Sequence, residues 1–252
     1  MNHGERNELL FKIYLCRLKH TKETNSIFGE IKNCGFGDVE YLPFDQDINL
    51  NKIDDNNLKL LATSLNITKS PPNAKADIRI NDTRISIKSL NSAPPSIVNH
   101  TSRVGFLRIA NQLNLDISEL DNQISKYWEL RNSGLISEDC SNDNKLSPFK
   151  DNKIIWKSYL EYFCFLGTGS GDSKYPADFL LSVDTFDNKN SWQLFDRNEA
   201  INQIWDGLKF CIRGGKGMNK YSDPKYKETM KPWTEFSSNK YRGALTIRYK
   251  SN

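Results

Sequence analysis

Apolar and polar positions along this chain fall into several readable periods. Between residues 5 and 19, Leu9, Leu10, Ile13, Tyr14, Leu15 and Leu18 recur at three- and four-residue steps without an intervening glycine or proline. That spacing predicts an amphipathic helix with a wide buried face. Glu5, Glu8 and Lys12 fall at i, i+3 and i+7 on its polar side. Gly35 and Gly37 punctuate a turn, 38–44 reads as a strand, and a second helix is expected around 55–65. The turn-rich Lys69-Ser-Pro-Pro-Asn73 then delivers the chain into 75–89. There Ile78, Ile80, Ile85 and Ile87 alternate with polar residues on either side of Asn81-Asp82, the pattern of two short strands joined by a tight turn.

Beyond this hairpin, 89–103 reads as an irregular, hydroxyl-rich and basic stretch containing Pro94-Pro95. Residues 117–131 predict a helix with Leu120, Ile124, Tyr127 and Trp128 inward. The polar run 137–151 reads as a loop and 154–166 as a strongly aromatic helix. Its Trp156, Tyr159, Tyr162, Phe163 and Phe165 recur at helical spacing and belong to a core. A strand near 176–183, a short helix near 198–206 and strands at 208–213 and 244–249 complete an α/β pattern. Neither a linker nor a repeat stands out, so one α/β domain over 1–252 is expected, a central mixed sheet flanked by helices.

Composition narrows the function classes only slightly. A net charge of +4 permits a polyanionic partner without requiring one. The five cysteines are odd in number and lack C-x-x-C spacing, which suits neither a disulfide framework nor a zinc site. A reduced, cytoplasmic protein is therefore expected. The three histidines show no ligand spacing. No apolar run approaches a membrane span, and the polar start is unlike a signal peptide. The Gly167-Thr-Gly-Ser-Gly171 run lacks the Gly-Lys-Ser/Thr ending of a phosphate-binding loop and reads as flexible loop.

The chemistry-bearing residues lie in the hairpin. Asp77 stands near the start of its first strand and Lys88 near the end of its second. Ser86 and Lys88 alternate to one face, with the carbonyl of Ile87 between them. From spacing alone two readings stay open: solvent-facing charge on two amphipathic strands, or a carboxylate and a lysine converging on a site. The layout resembles the active site of metal-dependent nucleases of the PD-(D/E)XK type. Four separated segments, Gly4-Glu-Arg-Asn-Glu8, Lys75-Ala-Asp-Ile-Arg-Ile80, Ile85-Ser-Ile-Lys-Ser-Leu90 and Asn99-His-Thr-Ser-Arg-Val-Gly-Phe106, are similar, in order, to motifs of the HpaII-like type II restriction endonucleases. The similarity covers roughly the first 110 residues and would place the catalytic core there, with 111–252 supplying a helical insertion, further strands and DNA-recognition elements.

That resemblance implies Asp77 and Lys88 as catalytic, Ser86 at the second acidic position and Glu8 as a helix-borne carboxylate. Mg2+ is the implied cofactor, held by Asp77, the Ile87 carbonyl and Glu8. Ser86 departs from the wider pattern, in which an acid stands two before the lysine, so Glu8 (or Glu5 one turn earlier) is expected to compensate. The bland alternative for Glu8 is an i,i+4 partner of Lys12. Double-stranded DNA is the implied substrate, a cognate methyltransferase the genetic partner, and no membrane is involved; a monomer and a homodimer are both compatible. Ser89, Asn91, Asn99, Thr101 and Arg103 directly after the catalytic strand, and Arg213, Lys216 and Lys220 in a glycine-rich loop, have the chemistry to contact bases and phosphates. The competing readings are a DNA-binding protein that kept a nuclease fold without its chemistry, and a repair nuclease directed by DNA structure.

Overall fold

The computed structural model describes residues 1, 3–89 and 96–249. The chain gathers into two compact units that interleave in sequence. The first comprises Met1–Ala93, Cys164–Leu166 and Asp172–Ala200; the second comprises Pro94–Phe163, Gly167–Gly171 and Ile201–Asn252. The sequence, having no visible linker, suggested one domain with its core in the first 110 residues. Two of the crossings fall in an aromatic helix end and a short glycine-rich run, neither of which carries linker composition.

In the first unit, helix α1 (His3–Thr21) covers the expected 5–19 and buries Leu10, Phe11, Ile13, Leu15, Cys16 and Leu18. Glu5 stands in its first turn and Lys19 and His20 in its last, the charge order that the helix dipole favours. Helix α2 (Asp55–Ser64) starts at Asp54, whose carboxylate accepts the N–H groups of Asn56 and Asn57 at 2.9 and 3.0 Å. Six strands form a mixed sheet: β1 (Cys34–Phe36), β2 (Val39–Glu40), β3 (Ile78–Ile80), β4 (Thr83–Ser89), β5 (Phe179–Val183) and β6 (Gln193–Phe195). Their order is β6-β5-β4-β3-β1-β2. Every neighbouring pair is antiparallel except β4 and β5, which run parallel with Ile85 opposite Phe179 and Ile87 opposite Leu181. This parallel pair is clamped by Asp178, which accepts the Arg84 N–H at 3.0 Å and grips its guanidinium at 3.0 and 3.3 Å. Ile78, Ile80 and Ile85 of the hairpin pack with Leu181, Val183, Phe11 and Leu15 in one core.

The strand expected over 38–44 shortens to Val39–Glu40. Past it the backbone bonds leave the sheet: the N–H of Leu42 goes to Leu65 O and that of Phe44 to Cys16 O, with Pro43 donating nothing.

The second unit holds a four-stranded antiparallel sheet in the order Ser96–Ser102, Ala244–Tyr249, Leu208–Arg213, Cys140–Ser141. Helices Arg103–Leu113, Ser118–Asn132 and Lys153–Glu161 accompany it. The expected aromatic core is present, with Phe149 stacked on Phe210 at 4.2 Å and Phe106 against Trp233 at 5.1 Å. The segment read as irregular is instead the strand Ser96–Ser102. Its buried residues, Val98 and Thr101, are three apart, yet they oppose Ile247 and Leu245, which are two apart. A β-bulge at Asn99-His100 inserts the extra residue and removes the period-two signal that a strand normally prints on its sequence. No helix among the described residues is long and apolar enough to cross a membrane.

Candidate active site

The site is built where β3 ends and β4 runs on. At the start of β3 the N–H of Asp77 bonds Ile85 O at 2.8 Å, but those of Lys75 and Ala76 turn away to Tyr175 O, each at 3.0 Å. The ladder therefore stops at Asp77, and the Asp77 side chain takes the next place on β4. Its Oδ2 accepts the Ile87 N–H at 2.7 Å and the Ser86 hydroxyl at 3.3 Å. Within a strand a residue's N–H and C=O point to the same side. The Ile87 carbonyl thus emerges on the Asp77 side, beyond the last residue of β3. Ser86 is buried and Lys88 half-buried on the same face of β4, opposite Leu180 and Ser182 of β5.

From α1, Glu8 accepts the Lys12 ammonium at 2.6 Å. The i,i+4 pair weighed from sequence exists, but it is not a surface pair, since Lys12 is only 2% exposed. Glu8 and Lys12 both lie within electrostatic reach of Asp77. Lys75, two residues ahead of Asp77, is a further cation of this corner, acting on Asp77 and close to Lys88. Lys12 and Lys75 are the residues that sequence inspection did not single out as part of the site. The Lys-Ala-Asp spacing carried a signal for Lys75, because residues i and i+2 of an extended chain share a face.

Electrostatics make this corner unusual. Burial raises the Asp77 carboxyl above the usual carboxylate range and Glu8 pushes it the same way, while Lys88, Lys12 and the Ile87 N–H oppose them. Burial, with Lys88 adding like-charge repulsion, pulls the Lys75 ammonium down to about 8. The available donors, the Asp77 carboxylate, the Ile87 carbonyl and the Glu8 carboxylate, are all hard oxygens. That set suits Mg2+, which takes one or two carboxylates and completes its shell with water. No group of three or more His, Cys, Asp or Glu side chains able to hold a metal occurs among the described residues, so a cation here rests on few carboxylates. The upward push on Asp77 is the penalty that a dication relieves.

The residues proposed to touch DNA separate by environment. Asn91 and the side chain of Ser89 lie outside the described residues. In the second unit Asn99, Lys216 and Lys220 are exposed. Thr101 is buried, its methyl group packed where a Cβ on Gly105 or Gly169 would sit. Arg103 grips Asp121 at 2.7 and 2.6 Å and also bonds Thr229 O at 3.0 Å. Both therefore face inward and hold the second unit together, contrary to the expectation that they reach DNA. Arg213 is half-buried, bonded to Cys211 Sγ at 3.0 Å and paired with Asp139 at 3.3 Å.

Compared with protein-family models, with curated proteins and with solved structures, the chain matches none.

Proposed function

We propose that this chain is a type II restriction endonuclease of the PD-(D/E)XK type, a Mg2+-dependent phosphodiesterase that cuts duplex DNA at a short specific sequence. The observation that carries this reading is the Asp77 carboxylate pinned by the Ile87 N–H at 2.7 Å, which brings Asp77, the Ile87 carbonyl edge and Lys88 together where β3 ends. The mixed sheet with its helix-borne Glu8 supports the same reading.

Asp77 and the Ile87 carbonyl would hold the metal, with Glu8 contributing directly or through water. Bound there, Mg2+ supplies a water of lowered pKa and neutralises charge on the phosphoryl transition state. Lys88, on the same face of β4 as the scissile position, orients that water and steadies the developing charge. Ser86 does the work of a donor instead of a ligand: its hydroxyl holds Asp77 in place. Glu8 then stands in for the absent acid. Glu8→Gln, which keeps a hydrogen-bond acceptor for Lys12, is expected to raise the Mg2+ concentration needed for half-maximal cleavage about tenfold or more. An unchanged requirement would reduce Glu8 to the partner of Lys12.

The founding test is digestion of phage DNA with Mg2+. Discrete fragments are expected, and sequencing their ends reports site and stagger together. Smears or nicks without a consensus would instead favour a structure-directed nuclease. Ser86 in place of an acid favours the second reading, a DNA-binding protein without chemistry; specific binding with no fragments at any divalent-ion concentration would establish it. A cognate methyltransferase and a homodimeric state belong to the same proposal.

A further inference from the structure

The second unit has a place where four basic groups meet around a distorted strand. The bulge at Asn99-His100 sets His100 at φ 44, a left-handed conformation that a histidine adopts at some cost. Such outliers persist where the surrounding structure fixes them, and bulges re-aim side chains. Here the surroundings are specific. The His100 N–H reaches the Thr246 hydroxyl at 3.4 Å. The loop after Arg213 presses directly on His100: a Cβ at Gly217 would stand 2.6 Å from His100 O and 2.2 Å from the Ala244 Cβ, so only glycine fits. The Tyr226 hydroxyl donates to Gly217 O at 2.6 Å and holds that loop down.

Nδ1 of His100 is buried without a hydrogen-bond partner. With no acceptor there, a neutral ring keeps its proton on the other nitrogen, which becomes the donor. Arg213 from the end of one strand, Arg248 from the next and Lys216 from the loop all act on this ring. Asp139 is the acid facing the group, and it is paired with Arg213.

We propose that His100, Arg213, Lys216 and Arg248 form a binding site for a backbone phosphate of duplex DNA. The choice of DNA as the source of the phosphate rests on the nuclease reading; the anion chemistry does not. Lys216 and Arg248 supply the charge that releases counterions, and His100 adds a donor fixed by the bulge. Burial and then the three cations hold the His100 pKa below its ordinary value, so the free ring is neutral at neutral pH. A phosphate among these groups cancels part of the repulsion and favours the imidazolium. Binding then takes up a proton, and affinity rises as pH falls.

The test uses the full chain carrying Asp77→Asn, so that bound DNA stays intact, and reads fluorescence anisotropy with a short labelled duplex of arbitrary sequence. The parent is expected to bind more tightly at about pH 6 than at about pH 8. Adding His100→Asn, which tolerates the left-handed backbone, removes that dependence. Adding Lys216→Ala, at an exposed position, lowers the slope of log K against log[NaCl] by about 1. If both variants keep the parent's pH and salt dependence, the inference is overturned while cleavage by the wild type still upholds the nuclease reading. If the parent binds no duplex, the inference is likewise overturned. If the wild type cuts nothing but the variants weaken duplex binding, this site stands and the nuclease reading falls.

Discussion

Asp77→Ala is expected to abolish DNA cleavage, lowering the rate about a thousandfold or more, while leaving specific binding in Ca2+ near the wild-type level. The reason is local. Asp77 does two things at once: its Oδ2 closes the edge of β4 at Ile87, and its charge is the carboxylate nearest the Ile87 carbonyl. Alanine removes the charge and leaves the Ile87 N–H to water, yet it touches no residue of the second unit's basic cluster. Ca2+ takes more ligands at longer distances than Mg2+ and is the suitable ion for scoring binding without turnover. Lys88→Ala, at the other end of the same strand pair, is expected to cost about 10²–10⁴-fold in rate. Plasmid or phage cleavage followed over time measures both. Retained cleavage by Asp77→Ala would falsify the assignment of the active site, and with it the proposed function.

Much of this site was legible in the sequence because the hairpin obeys local rules. Four isoleucines at period two fix which face is buried, and Asn81, at φ 50, supplies the left-handed turn residue between the strands. The alternation then puts Ser86 and Lys88 on one face without any tertiary information. Helix α1 was equally readable. What the sequence did not reveal has physical causes. Lys12 reads as a surface partner at i+4 of Glu8, and only the packing of α1 shows that its ammonium is buried. The parallel strand β5, some ninety residues downstream of β4, joins the site's sheet through a pairing that no local pattern announces. The strand Ser96–Ser102 was hidden by its own bulge, since a three-residue spacing of Val98 and Thr101 is what irregular backbone also gives. Arg103 and Thr101 looked like DNA ligands because their chemistry is right. Their inward positions follow from Asp121 and from glycines at 105 and 169, residues far away in sequence or featureless by themselves.

Asp77→Asn is expected to stabilise the protein in the absence of divalent cations while removing its response to them. The folded state raises the Asp77 pKa above its unfolded value, chiefly by burial. A group shifted upward contributes most below its unfolded pKa, where the neutral acid is bound, and that contribution disappears as pH rises through the folded value. At about pH 4 wild type and variant should therefore melt alike, since a protonated Asp and an Asn are near equivalents. Toward neutral pH the wild type must hold an uncompensated charge that the variant lacks, and the variant gains about 1–2 kcal/mol, or about 2–6 °C in Tm. The Asn oxygen still accepts the Ile87 N–H, so the strand edge stays closed. Divalent cation reverses the order. A dication at ten times its Kd stabilises the wild type by about 1.4 kcal/mol and the variant by none, because the carboxylate that holds it is gone. Thermal melts across pH, with and without MgCl2, read both effects. A variant less stable than wild type at neutral pH without cation would show that Asp77 is there as a structural ion-pair partner of Lys88 and Lys12. A site kept at a cost in stability, and relieved by Mg2+, is what a metal-dependent active site requires.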